Sequence, residues 1–91
     1  MKVRVLVRLK PGILDVQGAA VQRALAGLGF DDVRELRVGK LIEVDLDAAD
    51  AAQARVRVDE MCRRLLANTV LEDYTIEAEP AERLAPPGAV R

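Results

Sequence analysis

The stretch KVRVLVRLKPG, residues 2–12, decides the fold of this chain. Apolar and charged side chains alternate along it, so Val3, Val5 and Val7 point to one side of an extended backbone. A Pro-Gly pair then interrupts the pattern, as it does where a strand ends in a turn. The chain is therefore predicted to begin with a β-strand that has one buried face.

Five further elements follow this strand. The first is a helix from about residue 15 to 28, which Asp15 can cap and Gly29 can close. Two strands follow at 33–38 and 41–46, joined at Gly39-Lys40. A helix capped by Asp47 or Asp50 then reaches about residue 67, and a last strand covers about residues 70–78. The apolar stripes of the helices are spaced to face a sheet.

The order β-α-β-β-α-β is that of the ferredoxin-like α+β fold. Right-handed crossovers would place both helices on one face of a four-stranded antiparallel sheet, with the first strand beside the strand at 41–46. The folded domain is expected to span residues 1–79, and residues 80–91 to form a flexible C-terminal tail.

The second face of such a sheet would remain open. Charges of opposite sign meet there, and an apolar side chain lies among them: Arg4, Arg8, Glu43, Asp45 and Leu6. An open face of this kind favours association with a second copy, and we expect a homodimer or homotetramer. Leucines scattered singly over a surface would also be ordinary.

The composition argues against catalysis by this chain alone. It contains no histidine, serine or tryptophan, and Cys62 is its single cysteine, which lies on the apolar stripe of the second helix. No metal site or dinucleotide fingerprint is present in the pattern. A net charge of −1 favours neither nucleic acid nor an anionic membrane. With one cysteine and no signal peptide, the expected location is the cytoplasm.

Three blocks of sequence resemble PurS, the small-subunit family of phosphoribosylformylglycinamidine (FGAM) synthase. They are LKPGILDVQG at residues 9–18, RVGKLIE at 37–43 and MCRRLLANTVLEDY at 61–74. Together with Gly29-Phe30 they occur in the family's order, and the resemblance covers about residues 2–79. Val16 and Thr69 stand where the family often has proline, at positions where proline would stiffen the start of an element.

The resemblance implies a role in de novo purine biosynthesis. In this family FGAR, ATP and glutamine give FGAM: the synthetase subunit PurL uses ATP and Mg, and the glutaminase subunit PurQ releases ammonia. The small subunit has no catalytic groups of its own, binds no cofactor, forms a homodimer and joins PurL and PurQ for ammonia transfer. The chain would thus be an essential subunit of a glutamine-dependent ligase.

Contacts with these partners are expected in the matched blocks. The candidate residues are Lys10, Gly12, Asp15, Gly18, Gly39, Lys40 and Tyr74. Each also has a purely structural interpretation. Asp15 can cap a helix, Gly39-Lys40 can form a simple hairpin turn, and Tyr74 can be a packing residue.

Two other functions remain compatible with the sequence. A small ferredoxin-like regulatory domain could bind an amino acid or another small ligand at a dimer interface. A small hydrolase would need a catalytic arrangement that the pattern does not contain.

Overall fold

Three strands and two helices make up the described part of the molecule. The computed structural model describes residues 1–78, so the end of the predicted domain and the predicted tail at 80–91 lie outside it. The elements are β1 (Lys2–Leu9), α1 (Val16–Gly27), β2 (Lys40–Asp45), α2 (Ala51–Met61), which continues as a π-helix (Cys62–Leu66), and β3 (Glu72–Glu77).

β1 is the central strand of an antiparallel sheet with the order β2-β1-β3. The predicted pairing of the first strand with the strand at 41–46 is confirmed. Arg4 lies opposite Glu43, and Leu6 lies opposite Leu41, in this pairing. Opposite charges at directly facing positions add to the stability of a strand pair.

The hydrophobic core lies between this sheet and α2. Val3, Val5 and Val7 are at most 2% exposed, and they meet the buried face of α2, which includes Val58 and Cys62. β-Branched side chains pack well on a pleated sheet, and each fully buried valine stabilises the fold by roughly 1.5–3 kcal/mol before entropy is subtracted. The prediction that Cys62 is a core residue is confirmed.

The segment 33–38 does not form the strand that its alternation predicts. In the described residues the sheet has three strands, so the four-stranded arrangement and the hairpin at Gly39-Lys40 are not observed. Side chains bond to the backbone of this segment instead. The Gln22 amide donates to the carbonyls of Val33 and Arg34 at 2.9 and 3.3 Å. A backbone engaged by side chains leaves fewer groups for a ladder with a neighbouring strand.

The prediction that both helices cover one face of the sheet is wrong for α1. Of the two helices, only α2 with its π-helix contributes buried residues to the core, and Gly18 is the one buried residue of α1. The helical spacing predicts that Val21 and Leu28 face the sheet, but both side chains are exposed, that of Leu28 to 74%. α1 is instead bound to the segment 33–38, through the Gln22 amide and through its capping residue Asp15.

Candidate functional site

The end of β1, the start of α1 and the segment 33–38 meet at one place, which we call the junction. Asp15 lies at its centre, and both carboxylate oxygens accept a backbone hydrogen bond. Oδ1 accepts from Gly18 N at 2.8 Å, and Oδ2 accepts from Val38 N at 2.8 Å. Asp15 is therefore a helix cap, as predicted, and also a tie between α1 and the segment that leads into β2.

The charge of Asp15 is stabilised at this position. The hydrogen bonds from Gly18 and then Val38 lower the pKa of its carboxyl group, with a smaller contribution from the Arg37 guanidinium. Both carboxylate oxygens accept hydrogen bonds from the backbone of the junction, so Asp15 stabilises the structure of the junction.

Two glycines allow the backbone to approach closely here. A Cβ on Gly18 would lie 2.6 Å from the carbonyl oxygen of Leu36, and one on Gly39 would lie 2.6 Å from that of Val7. Gly39 does not have a positive φ, so its role is close packing and not a tight hairpin turn. Gly12, with φ of 87°, is the glycine of the junction that needs the left-handed region.

Basic side chains surround the junction. Arg37 donates from Nη2 to the carbonyl of Leu9 at 2.8 Å and to that of Lys10 at 3.3 Å. Lys40 Nζ lies 3.6 Å from a carboxylate oxygen of Glu72, while most of its side chain is exposed. Arg37 lies in the block 37–43 that resembles PurS, yet the sequence did not reveal its contact with the end of β1, because its partners are backbone carbonyls 27 and 28 residues away.

A shallow cavity of about 320 Å³ opens beside the junction. Its walls include Leu14, Val16, Lys40 and Glu72, and the first two are largely exposed apolar side chains. No group of three or more potential metal ligands occurs within residues 1–78. The cavity therefore combines exposed apolar side chains with the paired charges of Lys40 and Glu72.

Tyr74 is the one candidate that packs against the hydrophobic core. It faces the α2 side of the sheet, opposite Val7 on β1. Its hydroxyl donates to Asp59 Oδ1 at 2.5 Å, and Arg63 Nε donates to Asp59 Oδ2 at 2.8 Å. The hydrogen bond lowers the pKa of Asp59 and raises that of Tyr74. Tyr74 thus ties β3 to α2, and its partner could not be inferred from the sequence.

The predicted open face of the sheet carries the predicted charges. Arg4, Leu6 and Arg8 project away from the valine face of β1, and Glu43 lies opposite Arg4. Asp45 lies opposite Lys2 instead, and its Oδ1 is 3.4 Å from the N-terminal amine of Met1. Leu6 and Leu41 form a small apolar centre on this face.

The chain matches the family model "PurS: Phosphoribosylformylglycinamidine (FGAM) synthase" over residues 2–80. The chain belongs to the PurS family. A PurS subunit from Bacillus subtilis is 47% identical over 78 residues, which are 86% of this chain and 92% of the relative. The PurS subunit from Synechocystis is 46% identical over 84 residues, 92% of this chain and 84% of the relative.

Solved PurS structures share the fold of this chain. The crystal structure of Methanocaldococcus jannaschii PurS superposes with a TM-score of 0.79 at 40% identity, covering 86% of this chain and 94% of the other. A chain in the structure of PurLQS from Thermotoga maritima gives a TM-score of 0.78 at 28% identity, covering 86% and 95%. The α+β architecture is therefore that of PurS, and family membership also confirms the resemblance seen in the sequence.

Proposed function

We propose that this chain is the PurS subunit of FGAM synthase and acts as a non-catalytic bridge between its glutaminase and synthetase subunits. The supporting observation is family membership over nearly the whole described chain, together with a PurS relative whose structure is that of a PurLQS complex. The alternative of a regulatory domain that binds a free small ligand is not favoured, because the relatives are all subunits of this enzyme.

The chemistry of the chain supports a bridging role. Without histidine or serine, and with its one thiol in the core, it lacks the usual nucleophiles and bases. Burial, and to a lesser extent Asp59, raises the pKa of the Cys62 thiol, which makes it less reactive still. ATP and Mg would be bound by the synthetase partner, and no cofactor by this chain.

A bridge would act by holding two active sites near each other. Ammonia released inside an assembly reaches the acceptor at a high effective concentration, before it escapes or is protonated in bulk water. The junction is the surface we assign to partner contact. Its backbone is held by Asp15 and Arg37, while Leu14, Val16 and Lys40 remain exposed at its rim.

Self-association is part of the proposal. Much apolar surface of α1 and its flanking loops is exposed, which a small domain seldom leaves uncovered. The edges of β2 and β3, the segment 33–38 and the open sheet face offer further surface to a second copy.

Reconstitution tests the bridging function. PurL and PurQ from the same organism are assayed for FGAM formation with and without this chain, once with glutamine and once with ammonium as the nitrogen donor. We expect the chain to be required with glutamine and largely dispensable with ammonium, because ammonium bypasses the transfer between subunits. Equal rates with and without the chain under both conditions would disprove the proposal.

A further inference from the structure

We infer that the turn after α1 of one copy binds a groove on α2 of a second copy, through Phe30 in an apolar pocket and Asp31 and Asp32 beside arginines. This inference rests on the self-association proposed above and assigns it a contact surface. We call residues 28–32 the Phe30 turn. The α2 groove is the surface formed by Arg57, Glu60, Met61, Arg64, Leu65 and Leu66.

The Phe30 turn presents an apolar tip with acidic neighbours. Phe30 is the chain's only phenylalanine, and it is 55% exposed beside the even more exposed Leu28. The turn is held in shape by Gly29, with φ of 99°, and by hydrogen bonds from the turn's backbone to the last carbonyls of α1. Asp31 and Asp32 are exposed, and within residues 1–78 their carboxylates form no ion pair.

The α2 groove offers the complementary chemistry. It encloses about 360 Å³, with Met61, Leu65 and Leu66 as apolar lining and two arginines at its sides. Leu65 lies in the π-helix that continues α2, and its side chain is 83% exposed. Arg57 makes no ion pair in the described part of the chain, and Arg64 is paired only with the exposed Glu60 at 3.4 Å.

The basic side chains of the junction fit an acidic partner less well. At the junction the Arg37 guanidinium is already bonded to two carbonyls, and Lys40 is paired with Glu72. Arg57 is available without breaking an existing contact. Charge complementarity therefore favours the α2 groove over the junction as the binding surface for Asp31 and Asp32.

The occupant we assign is a second copy of this chain, because its Phe30 turn supplies both the apolar tip and the carboxylates, and nothing within residues 1–78 fills the groove. Phe30 and Leu65 are both exposed in the single molecule, so the two surfaces do not cover each other within one chain. A twofold arrangement would form the contact twice, since each copy supplies one turn and one groove. An aromatic side chain in a pocket is the usual centre of such an interface, with charged residues at the rim.

The test is a charge exchange measured by sedimentation equilibrium of the full chain. We expect Phe30→Ala to raise the dimer Kd at least about tenfold, as truncation of an interface anchor does. The control Val56→Ala removes another exposed apolar side chain, one that belongs to α2 but does not line the groove, and it should leave Kd unchanged. Arg57→Glu with Arg64→Glu should weaken the dimer, as should Asp31→Arg with Asp32→Arg.

Combining all four charge changes should return Kd to within about threefold of the wild type, because attraction is restored with the signs exchanged. Thermal unfolding curves of each variant verify folding. A dimer unchanged by every variant would overturn the contact and leave self-association intact. A monomeric wild type at all concentrations would overturn both. Weakening by each pair without recovery in the combined variant would overturn the pairing of these charges.

Discussion

A single carboxylate joins three parts of the chain. Asp15 caps α1 through Gly18 N and binds Val38 N, which belongs to a segment 23 residues further on. The cap was predictable because Asp precedes a helical pattern. The second hydrogen bond was not, since it depends on where the segment 33–38 runs in three dimensions.

Replacement of Asp15 by asparagine separates these two roles. Asparagine caps helices as well as aspartate, but its amide NH₂ cannot accept from Val38 N. We expect Asp15→Asn to lower the free energy of unfolding at pH 7 more than Asp50→Asn does, because Asp50 caps α2 through Gln53 N alone. Urea denaturation of both variants measures the difference.

The difference in stability between the wild type and Asp15→Asn should also depend on pH. The pKa of Asp15 is lower in the folded state than the ordinary value near 3.9. The ionised carboxyl group therefore adds stability above about pH 4, and this stability is lost as the pH falls through the folded pKa. The deficit of Asp15→Asn should shrink on acidification. A deficit that stays constant down to pH 2 would show that the charge of Asp15 contributes nothing.

Gly18 and Gly27 both lie in α1, and they allow a crowded position to be compared with an open one. A methyl group on Gly18 would lie 2.5 Å from Asp15 Oδ2, whereas one on Gly27 would meet nothing within 4 Å. We expect Gly18→Ala to cost about 1–3 kcal/mol by overpacking. Gly27→Ala should be neutral or stabilise by up to about 1 kcal/mol, because alanine favours helix. Chemical denaturation distinguishes them, and equal effects would contradict the close approach at Gly18.

At the scale of elements, the two helices are held to the rest of the molecule by different kinds of contact. α2 shares a buried core with the sheet and is tied to β3 by the hydrogen bond from Tyr74 to Asp59. α1 contributes no apolar side chain to that core and is held through the polar contacts of Asp15 and Gln22. Its helical periodicity resembles that of α2, so the sequence pattern alone did not reveal this difference.

Amide hydrogen exchange should show that α1 opens more easily than the elements of the core. In dilute protein, we expect the amides of α1 to exchange at least about tenfold faster than those of β1 and α2, because few buried contacts oppose local opening. Raising the protein concentration should slow exchange in α1 selectively if self-association covers it. Equal protection of both helices in the dilute monomer would contradict the weak support of α1.

At the scale of the whole molecule, residues 1–78 form one small hydrophobic core and leave many apolar side chains exposed. Within residues 1–78, the eight buried core residues come from β1, α2 with its π-helix, Ala67 and Ala78. A domain of this size is marginally stable, and burial against a second copy would add what the single core lacks. No helix within residues 1–78 is long and apolar enough to cross a bilayer.

Thermal stability should consequently depend on concentration. Association adds stability by mass action, so a hundredfold rise in protein concentration should raise the Tm by several degrees for a chain of this length. Differential scanning calorimetry over that range measures the shift. A Tm independent of concentration, with sedimentation showing a monomer throughout, would contradict self-association.

The sequence by itself determined the half-buried first strand, the two helices, the pairing of the first strand with the strand at 41–46, the core position of Cys62 and the PurS family. These depend on local periodicity and on blocks of residues that are contiguous in the chain. The tertiary structure decided that the segment 33–38 stays outside the sheet and that α1 lies off the core. It also decided that Asp15, Arg37 and Gly39 share one junction. Side-chain bonds to distant backbone groups and close approaches between segments govern these features, and neither leaves a periodic signal along the chain.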